Sequence, residues 1–338
     1  MTGIDRAYST FLTEASRFTS ADGIDKSLRT ALYFARAANA LSEVGDSSAT
    51  VQTRLQITAS RLSQAYSLMV PGSNITADAH ALVVAAPVIG SADTRSSASF
   101  APVVAPSSVG TVMGDATQSP FSTQTVSASQ TVNGKLPYEL AAVSVTVAGR
   151  AAQVLSVSPS RLSFVVPTGL PAGDTEVIVT SQAGYVSRGV VTVAPVALGI
   201  FTKSGNGTGD AVVMDSNGLT SGPFDVNMPY TSSQDKRNRL IIYTTGLCSG
   251  LNDSDASNNL TVYGISIPNL AESIGVEART ASGQVFNLKV EYAGTQGSWL
   301  GLDQVNVVLP PELKGAGTVE LTLVAGSLRS NIATVNIK

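Results

Sequence analysis

Cysteine and histidine are almost missing from this chain: Cys248 and His80 are the sole examples in 338 residues. One cysteine excludes an internal disulfide and any cysteine-rich zinc site, and one histidine excludes a histidine-rich metal centre. The same scarcity bears on nucleophilic catalysis. The run Gly246, Leu247, Cys248, Ser249, Gly250 follows a strand-like segment and has the form of a nucleophile elbow, but that device needs a helix next and a histidine base further on. A loop follows instead, and His80 lies far upstream. Cys248 is therefore expected to be a small residue after a strand, and His80 a surface residue, so no catalytic residue and no cofactor is expected and the chain is not read as an enzyme.

Charge is scarce too. Asp, Glu, Lys and Arg make up 13% of the chain, with a net charge of -3 and a pI near 5.2. That leaves no basic field for a phosphate backbone, which argues against nucleic acid as a partner. Apolar runs are short: the longest candidate, residues 79–89, is interrupted by Pro87 and falls well under the roughly 20 residues that span a bilayer. Residues 1–6 carry no basic stretch followed by an apolar one, so a signal peptide is not seen at this start. If the protein is exported, that signal was removed or lies upstream.

What is present is Ser, Thr, Ala, Val and Gly, with 30 glycines and 15 prolines. This is the profile of a β-rich, weakly charged surface protein. The length fits two or three compact units.

The character of the chain changes near residue 72. Before it, apolar residues recur at helical spacing: Ile4, Tyr8, Phe11 and Ala15, then Ile24, Leu28, Leu32 and Ala35, then Val51, Leu55, Leu62, Tyr66 and Met69. About three amphipathic helices are expected in 1–72, with Asp22 as a cap, Gly45 as a stop and Pro71-Gly72 closing the last. Residues 73–98 read as an extended connector, and its apolar part, 81–89, as a segment able to add a strand to a sheet edge.

From residue 99, strands of five to seven residues alternate with Gly, Pro and Asn turns, the spacing of a sandwich. Residues 143–147 put valines on one face and Ser144 and Thr146 on the other, which predicts one core face. Two stretches look like copies. Residues 157–167 end at Pro167 and lead to Gly173 and the strand-like segments 175–180 and 187–193. Residues 301–310 end at Pro310 and lead to Gly317, 318–324 and 331–337. A β module has been used twice. The expected fold is mainly β: two tandem immunoglobulin-like sandwiches, 99–198 and 199–338, the second with an Asn- and Asp-rich insertion at 246–270, preceded by the small α-helical region.

The runs 145–152 and 157–167, Gly173 and the closing segment 187–193 resemble an immunoglobulin-like module of the IPT/TIG type. More narrowly, the runs 98–101, 197–202, 215–218, 242–247 and 301–307 resemble the C-terminal region of Solibacter-type secreted proteins of Acidobacteria. The resemblance covers about 97–338 and leaves out 1–72 and the insertion. It implies an exported tandem immunoglobulin-like region and carries no catalytic residues.

Few residues stand out as ligand candidates. Asn252, Asp253, Asp255 and Asn258 offer oxygens for Ca²⁺ from one loop, but they lack the Gly and terminal Glu of an EF-hand, and a solvated loop is the expectation. The glycine-rich run 205–209 lacks a following Lys-Ser/Thr and reads as a turn. Trp299 is expected in the core, with an exposed sugar platform as the alternative. Tyr230, Tyr243 and Tyr263 are the other aromatic candidates for glycan contact, with Asn227, Asn258 and Asn259 as hydrogen-bonding neighbours. The function expected is a non-enzymatic extracellular or cell-surface structural protein, self-associating or docking on other surface proteins through its helices or connector. The alternative is a glycan-binding or adhesion module.

Overall fold

A computed structural model describes residues 88–116, 120–128, 136–141, 143–180, 186–228, 234–247, 259–262, 265–268 and 270–338. The expected helices in 1–72 and most of the connector lie outside the described residues. Within them the chain is β structure, with a single 3₁₀ turn at Pro311–Leu313.

The chain divides into two compact units, the second of which includes 95–110 and 168–173 together with 192–338. In the first sandwich, one sheet runs Asp93–Ser96, Val109–Met113, Arg161–Val165, Gln153–Val157 and Val126–Ser127. The other runs Val88–Ser91, Val186–Val193, Gly173–Thr180, Val143–Val147 and Glu139–Leu140. Lettered in chain order, the principal strands pair as A-B-E-D and G-F-C, the connectivity of an immunoglobulin sandwich. Val88–Ser91 pairs in parallel with the last strand, at the end of its sheet. Of the segment expected to add a strand to a sheet edge, 81–89, residues 88 and 89 lie in this strand and 81–87 lie outside the described residues.

Alternation makes these strands. In Arg161–Val165, Leu162 and Phe164 are fully buried while Arg161, Ser163 and Val165 are half-buried, the period-2 pattern of a strand with one core face. Val143–Val147 departs from it. Its valines are buried as expected, and Ser144 and Thr146 are buried too, at 3% and 6% exposed. The reason is local. Ser144 lies between Thr180 and Glu139, and Thr146 between Ile178 and Ala151, so each short side chain is walled in by paired strands on both flanks.

The second sandwich repeats the plan. Val213–Asp215, Arg239–Thr245, Asp303–Val308 and the later part of Val285–Thr295 form one layer. Gly275–Thr280, Gly317–Ala325 and Ala333–Ile337 form the other, joined to the early part of Val285–Thr295. This is again A-B-E-D against C-F-G, and the bridges Asp210–Thr334 and Phe224–Ile337 are parallel, as a first strand beside a last one. The 11-residue strand Val285–Thr295 serves both layers. Residues 285–288 pair with Gly275–Thr280, residues 289–295 pair with Asp303–Val308, and a bulge between Val290 and Tyr292 turns it.

The core between these layers holds Phe224, Leu240, Ile242, Val305, Val307, Leu321, Leu323 and Ile337. Each such aliphatic or aromatic side chain contributes about 1.5–3 kcal/mol on burial. From the insertion, Asn259–Val262 and Ile265–Pro268 pair as a separate hairpin.

Candidate functional site

The polar residues of the motif-like runs come first, because catalysis or binding would have to use them. Asp215, 2% exposed, accepts hydrogen bonds from the Leu219 and Asn217 amides at 2.9 and 2.8 Å and from the Asn217 and Asn238 side chains. Burial pushes its carboxyl up, but these donors, led by the Leu219 amide, more than offset it and hold the group below its ordinary value. Asn238 is buried and also donates to the Asp225 carbonyl at 2.8 Å. Asn331 accepts from the Ile200 amide and donates to the Ile200 and Gly207 carbonyls. Asp303 accepts from the Leu247 amide at 2.9 Å.

The glycines of these runs have the same duty. Gly246 has φ +85°, and a Cβ there would stand 2.1 Å from the Ala197 carbonyl oxygen. Gly301, with φ +79°, lies where a Cβ would come within 2.7 Å of Val109. Thr245 ties this corner of the second unit, its Oγ1 accepting from the Val109 amide and donating to the Gly301 carbonyl. Runs far apart in sequence meet here to close loops.

Two outward faces of the second unit are built differently. On the layer of Arg239–Thr245 and Asp303–Val308, the register aligns Met214, Ile241, Asn306 and Tyr292 in one row, and Tyr243, Gln304 and Gly294 in the next. Their strand neighbours Ile242, Val305 and Val307 point into the core, so these rows face outward and are half-buried apart from buried Gly294. Gln304 donates to Asn306 at 3.3 Å, and the Tyr292 hydroxyl donates to the Thr295 carbonyl at 2.7 Å. The centre of this face is neutral. Charge gathers at one end, where Arg239 pairs with Glu291 and with Asp235, which Arg237 also holds.

The expectation for Trp299 is corrected: it is 51% exposed. It sits in the turn between Thr295 and Asp303, the last pair of the two strands, beside the exposed Leu300. A position four residues before the strand Asp303–Val308 lies past the end of the alternation, where the ladder no longer turns side chains inward. Tyr243 lies on the outward face beside Gln304. Tyr230, Tyr263, Asn252, Asp253, Asp255, Asn258, Cys248 and His80 lie outside the described residues. The amide pair Gln304 and Asn306, and Tyr292, were not singled out in the sequence, although the alternation of 303–307 placed both amides outward.

The opposite layer carries a groove of about 680 Å³ lined by Glu277, Arg279, Val285, Glu320, Arg329 and Ile332, among others. Glu277 is ion-paired with Arg329. Among the described residues, no group of three or more His, Cys, Asp or Glu is placed to hold a metal ion. No described helix is long and apolar enough to cross a membrane.

No protein-family model matches the chain, and no curated protein does. Among solved structures it is similar to the Bacteroides ovatus mixed-linkage glucan utilization locus protein SGBP-B in complex with mixed-linkage heptasaccharide, at 11% identity and a TM-score of 0.27, over 70% of this chain and 43% of that one. It is also similar to domains 5-6 of the S-layer protein SbsC, at 12% identity and a TM-score of 0.23, over 74% and 98%. A third is bovine butyrophilin, at 10% identity and a TM-score of 0.21, over 70% and 94%. The chain spans less than half the length of the first of these. Likenesses this distant assign no function, and the sandwich assignment rests on the strand order described above.

Proposed function

We propose that this chain is a non-enzymatic structural module of an extracellular or cell-surface protein, in which rigid tandem immunoglobulin-like sandwiches pack with further copies or with other surface proteins. The observation that carries this reading is the use made of the motif-like polar residues. Asp215, Asn238, Asn331 and Asp303 spend their hydrogen bonds on neighbouring backbone and side chains and hold loops in place. A scaffold specified this closely is suited to bearing contacts on its surface. The resemblance of 97–338 to the IPT/TIG type and to Solibacter-type secreted proteins points the same way, with the helices expected from the sequence of 1–72 and the connector as further elements of association. Sedimentation equilibrium on the full chain tests it. A mass that rises with concentration supports assembly, and a strict monomer at the highest attainable concentration overturns it.

One observation favours a second reading, a glycan-binding module. Tyr243 beside Gln304, and Tyr292 beside Asn306, form a neutral strip of aromatic and amide groups, and Trp299 stands exposed on the turn at its end. Flat aromatic surface with neighbouring amides is what a neutral sugar chain needs. On an array of neutral polysaccharides, Trp299→Ala and Tyr243→Ala should each lower retention about tenfold. An array on which the unaltered chain is not retained removes this reading.

A further inference from the structure

The face opposite the aromatic strip differs from it in charge. On the layer of Gly275–Thr280 and Gly317–Ala325, Arg279 lies directly across from Glu320, and Glu277 directly across from Thr322. Glu277 has its partner in Arg329. Arg279 and Glu320 do not: both are exposed, and among the described residues neither side chain takes part in a hydrogen bond or ion pair. Exposed apolar side chains stand beside them among polar ones. Val285 stands across from Arg279 on the other flank and is 41% exposed, while Ile332 is 54% exposed. Both line the same groove as Arg279 and Glu320. Apolar surface gathered around polar groups marks an interaction site.

We infer that this face binds a second copy of the chain about a two-fold axis. The inference rests on the assembly reading and gives it a place. In a two-fold contact each surface meets itself, so the residue pair i–j recurs as j–i. A face bearing one unpaired cation beside one unpaired anion is complementary to itself under that operation. Arg279 of each copy meets Glu320 of the other, and both charges are compensated. A purely acidic partner would compensate Arg279 and repel Glu320, and a purely basic one would do the reverse. The apolar side chains add area that charge pairs lack, because Val285 and Ile332 lose solvent together when the faces meet, and the groove of about 680 Å³ gives the opposing side chains room.

Sedimentation velocity on the full chain and four samples tests this. Arg279→Glu alone places two acidic groups against two acidic groups across the axis, and Glu320→Arg alone places basic against basic. Each should weaken dimerisation about tenfold or more, with unchanged melting temperature as the control for folding. The chain carrying both substitutions should dimerise as the unaltered chain does, because both pairs are restored with their signs exchanged. An equimolar mixture of the two single variants should form the mixed dimer, since one copy is then acidic and the other basic at the contact. If the unaltered chain does not self-associate, the assembly reading fails and this inference with it. If it self-associates and the single variants do so equally well, the assembly reading stands and the assignment to this face is wrong. Weakening by the single variants without recovery in the double variant or the mixture also overturns the pairing.

Discussion

At the scale of the residue, Asp215 shows how the scaffold uses a charge. A buried carboxylate is costly unless it is fully hydrogen-bonded, and four donors converge on this one. Its folded-state value is held below that of the unfolded chain, about 3.9. The stabilisation is therefore complete above about pH 4 and is lost as pH falls further, toward the folded-state value. Asp225 and Asp235 are held low as well, by the Asn227 amide and by Arg237 in the first place, and add to the acid sensitivity of the unaltered chain. Asp215→Asn should cost about 1–3 kcal/mol at pH 7, since an amide nitrogen then faces backbone donors. Urea titrations at pH 7 and pH 3 should show the gap between variant and unaltered chain shrinking in acid. A gap that stays constant would mean that the charge of Asp215 contributes nothing.

At the scale of the element, the duplicated segments were legible because they obey local rules. Phe164 and Val305 belong to strands whose inward residues fall at every second position, and Pro167 and Pro310 follow those strands where a missing amide donor ends the pairing. The glycines after each proline and the strands after those could be placed from the same pattern. What was not legible depends on partners distant in sequence. Val88–Ser91 becomes a strand by parallel pairing with Val186–Val193, and nothing in its own four residues specifies that neighbour. The split of Val285–Thr295 between two layers turns on one bulge, which inserts a residue without disturbing composition. Burial of Ser144 and Thr146 has the same origin, in what flanks them. Of the candidate site, Tyr243 and Trp299 could be named from aromatic content, whereas their relation to Gln304, Asn306 and Tyr292 required the register. The unpaired state of Arg279 and Glu320 is legible only where strands 275–280 and 317–325 lie side by side.

At the scale of the whole molecule, the low charge matters most for how copies meet. A net charge of -3 spread over 338 residues gives little long-range repulsion, so short-range complementarity at a contact decides whether copies associate. Salt separates the charge pairs of the proposed contact from its apolar part. The screening length shrinks from about 10 Å at 0.1 M to about 3 Å at 1 M, which weakens partly exposed pairs and leaves apolar burial nearly untouched. Dimerisation of the unaltered chain should weaken about threefold to tenfold between 0.05 and 0.5 M NaCl, consistent with the modest worth of exposed pairs. The chain with both Arg279→Glu and Glu320→Arg should show the same slope, because its pairs differ only in sign. Each single variant should show the opposite slope, since salt then screens repulsion and strengthens what association is left. Analytical ultracentrifugation across that salt range reads all three. Parallel slopes for the unaltered chain and both single variants would assign the contact to other residues, whereas slopes of opposite sign in the single variants, with the unaltered slope recovered in the double variant, place Arg279 and Glu320 against one another across the axis.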